Sequence, residues 1–201
     1  MKQSIILTIL WQLALMLPSN PAISGPASKV VERLNTTLLD VMKNADSLGY
    51  KGRFDRLFDV IAATHDLEYI AQFAIGKRNW GSLNERQKYT FLTTFRTYSV
   101  AIYANRFNGY SGESFYVFRE QPGKRNQIQV NSTLTIPGEK NVNFVYMLKT
   151  NGDTLKIVNI IVDGVSDLAL KRSEFMTILN ELGYDALQKH LIDKTNQLTA
   201  D

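Results

Sequence analysis

The sequence has no cysteine and only two histidines, and these absences exclude several kinds of chemistry. Without thiols there is no disulfide framework, no thiolate metal site and no cysteine nucleophile. His65 and His190 are far apart in the sequence and have no neighbouring ligand set, so we expect no metal site and no cofactor. No Gly-x-Ser-x-Gly segment is present, which argues against a serine hydrolase built on a nucleophile elbow.

Long apolar runs are also missing, except near the N-terminus. The run Ile5–Leu17 has 13 residues and is ended by Pro18, so it is shorter than the ~20 residues of a membrane span. Small residues at Ala22–Ser24 then offer a cleavage site, which is typical of a signal peptide over residues 1–24. We therefore expect an exported single domain over residues 25–201, and an uncleaved membrane anchor is the less favoured alternative.

Charges of one sign are not concentrated anywhere in the chain. Lys and Arg number 23 against 19 Asp and Glu, a formal net charge of +4, and the signs alternate along the sequence. No basic block, Gly-rich phosphate loop or internal repeat appears. This pattern predicts a solvated surface with some attraction to anionic membranes, and no nucleic-acid partner.

What the chain does contain is a long aromatic helix, predicted between residues 84 and 107, where glycine and proline are absent. One stripe at helical spacing contains Phe91, Phe95, Tyr98 and Ile102. Rings in every turn leave irregular space between them. The stripe therefore suits either a thick core or the wall of a cavity, and periodicity alone leaves both open.

The rest of the chain predicts an α+β domain, because the hydrophobic period changes from helical to alternating at Glu113. Three helices are predicted before the aromatic one: residues 28–47, a second from Gly52 and a third capped by Asp66. Trp80-Gly81 is predicted as a turn, followed by Ser82 or Asn84 as the cap of the aromatic helix.

Four strands in an antiparallel meander follow, covered on one side by helices. The predicted hairpin turns are Pro122-Gly123, Pro137-Gly138 and Asn151-Gly152. Asn151-Gly152 is expected to form a tight two-residue turn with positive φ at both positions. After a turn at Asp163-Gly164, Ser166 is placed to cap the first of two C-terminal helices.

The order and spacing of four stretches resemble those of the MlaC-type periplasmic lipid-binding proteins, and most closely their hopanoid-associated HpnM branch. The stretches are residues 49–61, 65–80, 95–115 and 161–179. The resemblance implies a curved NTF2-like or cystatin-like sheet whose helices enclose a lipid cavity. His65 is a departure, because relatives often have an apolar or aromatic residue before Asp66.

The resemblance also implies a function. Members look like monomeric periplasmic carriers that shuttle a lipid, here a hopanoid or a phospholipid, between membrane partners of the MCE/ABC or RND type. On this basis the candidate lipid-binding residues are taken from the aromatic helix, from one face of the third strand and from the first C-terminal helix. They are Phe91, Phe95, Tyr98, Ile102, Phe144, Tyr146, Leu148, Phe175 and Ile178.

Two other functions stay open at this point. Curved-sheet folds also house enzymes that use a buried carboxylate with a tyrosine as oxyanion donor; here Asp163 and Glu113 lie at strand ends and Tyr146 could donate, although neither acid is at an inward-facing position. The other alternative is an envelope adaptor without cargo, in which the aromatic stripe would be filled core. We expect a carrier and no enzyme activity.

Overall fold

Helices flank a single antiparallel sheet, which confirms the predicted α+β class. The computed structural model describes residues 25–199, so the predicted signal peptide lies outside the described residues. In this part of the chain the helices are α1 (Pro26–Lys43), α2 (Ala45–Thr64), α3 (Leu67–Ile75), α4 (Lys77–Ser82), α5 (Glu85–Arg106), α6 (Asp167–Leu182) and α7 (Tyr184–Thr199). The strands are β1 (Ser114–Pro122), β2 (Ile128–Thr135), β3 (Val142–Asn151), β4 (Thr154–Val162) and β5 (Val165–Ser166).

Capping side chains define the start of three helices. Asp66 caps α3 and Ser166 caps α6, as the sequence predicts. At α5 the cap is Asn84, whose side chain accepts from the Gln87 N–H at 2.9 Å while the Gln87 side chain accepts from the Asn84 N–H at 3.0 Å. This capping box satisfies two backbone N–H groups that have no hydrogen-bond partner within the helix. None of the helices in the described residues is long and apolar enough to cross a membrane.

Four helices precede α5 in the described residues, so the prediction of three is wrong. The predicted helix over residues 28–47 is divided, because Asn44 leaves the helical conformation at φ −110° and ψ 18° and α2 begins at the next residue. Gly49 interrupts α2 with a non-helical conformation (φ 56°, ψ −177°) that glycine adopts readily, so a kink lies between the predicted first helix and the one predicted from Gly52. The predicted turn at Trp80 is the short helix α4. The break at Asn44 could not be predicted, because no proline separates α1 from α2 and the helical spacing of apolar residues continues across it.

The sheet has five strands in chain order, β1-β2-β3-β4-β5, and every pair is antiparallel. The predicted meander is β1 to β4, and the count of four is wrong because β5 pairs with the end of β4. Asp163 and Gly164 connect them with φ of 46° and 87°. Two positive φ values in a two-residue connection characterise the type I′ turn. Asp-Gly between apolar residues is a hairpin signal, and it could have revealed β5.

The tight turn between β3 and β4 is confirmed, but it lies one residue later than predicted. Asn151 pairs with Thr154, so the loop is Gly152-Asp153, and positive φ occurs at Gly152 (58°). A glycine at the first loop position is typical of a type II′ turn. Asn151 remains in β3, where its Nδ2 donates to Asp66 Oδ2 at 3.0 Å. This bond links the hairpin to the start of α3.

The helices do not all cover the sheet, so the NTF2-like or cystatin-like description is only approximate. Helices α1 and α2 lie on the strands, whereas α5 contacts α2, α3 and α7, and α6 contacts α3, α7 and β4. Two separate hydrophobic clusters result. The sheet cluster lies between α1, α2, the second half of α5 and the strands. The helical cluster lies between α3, the first half of α5, α6 and α7.

Candidate functional site

A cavity of about 590 Å³ lies between the second half of α5 and the inner face of the sheet. Its volume is within the range of pockets that hold small molecules or cofactors. Apolar side chains from the helices and the strands form most of its wall. Examples are Leu38 in α1, Ile61 in α2, Phe95 and Ile102 in α5, Phe144 in β3 and Ile157 in β4.

Four of the nine predicted lipid-binding residues line this cavity. They are Phe95, Ile102, Phe144 and Tyr146. The prediction that the other five form its wall does not match the structure. Phe91, Tyr98 and Phe175 are buried in the helical cluster, Ile178 packs against that cluster, and Leu148 is buried in the sheet cluster.

The length of α5 explains these misplacements. Its stripe begins among other helices, where Phe91 stacks on Phe95 with ring centroids 6.1 Å apart. Phe95 then meets Phe175 edge to face at 6.2 Å, and Phe95 both belongs to the helical cluster and lines the cavity. Of the four stripe residues, Phe95 and Ile102 reach the cavity, whereas Phe91 and Tyr98 stay in the helical cluster. A helical period identifies the buried face of a helix, but not the two different environments along that face.

The rim of the cavity is polar and charged. It includes the segment between α5 and β1, with exposed Tyr110, and the first turn of α6. At α6 the Lys171 Nζ lies 2.5 and 2.6 Å from the two oxygens of Asp167, and the lysine side chain is only 12% exposed. Glu113 completes the rim near β1, where its Oε2 accepts from the Ser111 N–H at 2.5 Å.

The floor of the cavity contains a chain of hydrogen bonds that the sequence analysis missed. His65 Nδ1 lies 3.0 Å from Thr64 Oγ1, and His65 Nε2 lies 3.1 Å from Tyr103 Oη. Both His65 and Tyr103 line the cavity. Burial lowers the pKa of His65 to about 4 and raises the pKa of Tyr103 well above its usual value. At neutral pH both groups are therefore uncharged.

His65 is held in place by the backbone, because it is the residue at which α2 ends. Its N–H donates to the Ile61 carbonyl at 2.9 Å, while its extended conformation (φ −105°, ψ 145°) forms a bridge to Ile157 in β4. The next N–H, that of Asp66, donates to the Ile157 carbonyl at 2.9 Å. The sequence suggested only a short link here. A histidine directly before a capping aspartate, at a site where relatives often have an apolar residue, was the available signal.

A second set of hydrogen bonds lies on the sheet side. Tyr146 is 1% exposed, and its hydroxyl donates to Asn35 Oδ1 at 3.1 Å. The Asn35 amide in turn donates to Ser132 Oγ at 3.4 Å. Burial raises the pKa of Tyr146, so this hydroxyl also stays protonated. Buried polar groups are tolerated when they are hydrogen-bonded, and these three are.

The residues considered for an enzyme do not converge in the cavity. Asp163 is exposed in the β4-β5 turn and accepts from the Asn143 N–H at 3.0 Å. Glu113 is at the rim, and Tyr146 already donates to Asn35. Over residues 25–199 no group of three or more His, Asp or Glu side chains is arranged to hold a metal ion.

Comparison with known proteins places the chain in a family. The family model described as MlaC protein matches residues 32–193. Among solved structures, the phospholipid-binding protein from Ralstonia solanacearum, determined in complex with a phospholipid, has a TM-score of 0.75 and 17% sequence identity, with 87% of this chain and 99% of that chain covered. No curated protein matches the chain. Since the match to the MlaC profile extends over most of the sequence, the chain belongs to the MlaC family.

Proposed function

We propose that this protein is a lipid carrier that binds one lipid in the cavity and shuttles it through the periplasm between membrane partners. The observation that carries the proposal is the apolar cavity of about 590 Å³ between α5 and the sheet, with a polar rim at one end. A cavity lined in this way favours the apolar part of a lipid and leaves a headgroup near the charged rim.

The energetics of a diffusing lipid require such a cavity. Exposing a methylene to water costs ~0.8 kcal/mol, so a chain of ~15 methylenes costs on the order of 12 kcal/mol. A carrier must offset nearly all of this by enclosing the chain. The cargo that we propose is a hopanoid or a phospholipid. Family membership and the phospholipid-binding neighbour support the choice of lipid, and the resemblance to the HpnM branch supports the hopanoid.

The compartment and the partners follow from the same proposal. The signal peptide over residues 1–24 would export the chain to the periplasm, where it would act as a monomer. Its partners would be membrane complexes of the MCE/ABC or RND type, which deliver the lipid or accept it. The modest positive charge would favour brief contact with anionic membranes without trapping the carrier there.

Native mass spectrometry of protein purified from its own compartment, followed by lipid extraction, tests the proposal. We expect one co-purified lipid per chain. The variant Ile102→Trp, which places a larger side chain in the cavity, should lower lipid occupancy and slow lipid transfer between vesicles. Thr93→Trp, on an exposed position of the same helix, is the matched control and should leave both unchanged.

The same experiment separates the carrier from the two alternatives. A cargo-free adaptor would purify without lipid, and Ile102→Trp and Thr93→Trp would behave alike. An enzyme would need an acid or base inside the cavity. The two carboxylates that line it, Glu113 and Asp167, are at its rim, and Asp167 is paired with Lys171. We therefore favour the carrier over the enzyme.

A further inference from the structure

The hydrogen-bond chain at the cavity floor has a direction that can be derived from its first member. Thr64 Oγ1 lies 2.7 Å from the Val60 carbonyl, and a carbonyl oxygen can only accept, so the Thr64 proton points to Val60. Thr64 Oγ1 must then accept at its contact with His65 Nδ1, 3.0 Å away. The proton of His65 is therefore on Nδ1.

The direction continues from His65 to Tyr103. A neutral histidine with its proton on Nδ1 has an unprotonated Nε2, which can only accept. The Tyr103 hydroxyl, 3.1 Å from Nε2, must donate to it. The only proton of this hydroxyl is therefore used inside the protein. Tyr103 Oη has lone pairs left for a ligand in the cavity, but no proton to donate.

Two other hydroxyls below the rim also donate their only proton to an atom of the protein. Tyr146 donates to Asn35 Oδ1 at 3.1 Å, and Ser99 donates to the Phe95 carbonyl at 2.7 Å. Both residues line the cavity. The polar atoms that these side chains offer to a cargo are therefore acceptors. At these three hydroxyls a ligand atom that is only an acceptor finds no donor, whereas a hydrogen donor is matched. The donors of the lining near the start of α6 are the Asn159 amide and the Lys171 ammonium, so they are separate from this set.

The geometry points to a cargo that carries a hydroxyl group within its apolar body and donates a hydrogen bond from it to Tyr103 Oη. This inference rests on the proposed function and makes its cargo class narrower: a lipid alcohol, in preference to a lipid whose enclosed part is hydrocarbon only.

The acceptors lie beside β4, close to the start of α6. His65 bridges to Ile157, and two residues further along the strand the Leu168 N–H donates to Asn159 Oδ1 at 3.2 Å. Tyr146, Ser99 and His65 are buried and Tyr103 is half-buried, so the hydroxyl belongs inside the enclosed part of the cargo, away from the headgroup.

The test uses delipidated protein and three probes that share one chain length: stearate, 12-hydroxystearate and 12-oxostearate. The wild-type protein should bind the hydroxy acid about threefold to tenfold more tightly than stearate, the range expected from one net hydrogen bond. Tyr103→Phe should abolish that preference. Tyr98→Phe removes a hydroxyl from the same helix but in the helical cluster, so this control should retain it.

A second variant should turn the Tyr103 hydroxyl from an acceptor into a donor towards the cargo. In His65→Leu the Tyr103 proton loses its acceptor and can point into the cavity, so the keto acid should gain affinity relative to stearate. A role of Tyr103 in packing alone would not produce this reversal. If His65→Leu does not fold, the comparison of Tyr103→Phe with Tyr98→Phe decides.

The outcomes are distinct. Equal binding of stearate and 12-hydroxystearate by the wild-type protein, or a hydroxyl preference that survives Tyr103→Phe, overturns the inference and leaves the lipid carrier intact. Failure of all three probes to bind, together with purification free of lipid, overturns the proposed function and the inference with it.

Discussion

His65 is a histidine that burial keeps uncharged, and this has a consequence for stability. Burial is the largest cause of its lowered pKa; the Ile61 carbonyl and Asp167 oppose it, while Lys171 and Lys156 add to it. The ordinary pKa is ~6.5 in the unfolded chain, and the folded value is about 4. Between these two values the unfolded chain binds a proton that the folded protein does not accept.

Stability should therefore be lost as the pH falls from ~6.5 towards 4, by an amount on the order of 3 kcal/mol for this residue. Above pH ~6.5 both states are neutral at this position and the effect vanishes. Urea denaturation at pH 7 and at pH 4.5 should show a smaller loss for His65→Gln than for wild type. Parallel losses in His65→Gln and in the wild type would contradict this account of His65.

Two phenylalanines provide a second test at the residue scale. Phe91 is fully buried in the helical cluster, whereas Phe144 is half-buried and lines the cavity. Phe91→Ala should lower the free energy of unfolding by ~3–5 kcal/mol, because it opens a hole in dense packing. Phe144→Ala enlarges a space that already exists, so its effect should be clearly smaller while lipid binding changes. Equal destabilisation in denaturant titrations of lipid-free protein would mean that Phe144 belongs to ordinary core.

At the scale of elements, the β3-β4 hairpin depends on Gly152. Its φ of 58° is in the left-handed region, and no atom lies within 4 Å of the position of an added Cβ, so the effect of a side chain there comes from the backbone. Gly152→Val should destabilise the fold by ~1 kcal/mol or more.

Gly152→Asn is the matched comparison, because asparagine tolerates left-handed conformations better than valine does. Chemical denaturation should rank the proteins as wild type, then Gly152→Asn, then Gly152→Val. An unchanged midpoint for Gly152→Val would refute the turn assignment.

The buried residues of a helix or strand were predictable from the sequence where its whole buried face meets the same neighbours. They were not predictable where one part of that face meets other neighbours than the rest. In α1 the apolar residues at helical spacing, Val31, Leu34, Leu38 and Val41, are all buried. The inner faces of β2 and β3 likewise follow the alternation. The stripe of α5 is continuous in sequence but divided in space, and in α7 Leu191 is buried whereas the adjacent Ile192 is 48% exposed. Periodicity gives the direction of a side chain and not the element that it meets.

The polar floor could not be predicted because its members are distant in sequence. His65 and Tyr103 meet only after α2 ends against β4 and α5 crosses α2. The bond between Tyr146 and Asn35 spans 111 positions. Single polar residues in apolar segments are visible in the sequence, but their partners depend on the tertiary structure.

At the scale of the whole molecule, the remaining prediction concerns where the chain acts. If residues 1–24 are a cleaved signal peptide, the mature protein should begin at Gly25 and be recovered from the soluble periplasmic fraction. Edman sequencing of fractionated cells measures both. A chain that begins at Met1 and stays in a carbonate-resistant membrane fraction would instead be a membrane-anchored domain that transfers lipid only close to that membrane.

The division of the interior into two hydrophobic clusters affects how this protein can evolve. The helical cluster holds α3, α6 and α7 on α5, and only a few of its members, such as Ile70 and Leu168, also line the cavity, so most of its residues respond mainly to selection for folding. Wall side chains outside both clusters, such as Val142 and Val162, respond mainly to selection for cargo. A mutation at such a position can therefore spread without a compensating mutation elsewhere. Related carriers can acquire new lipids while retaining the same scaffold.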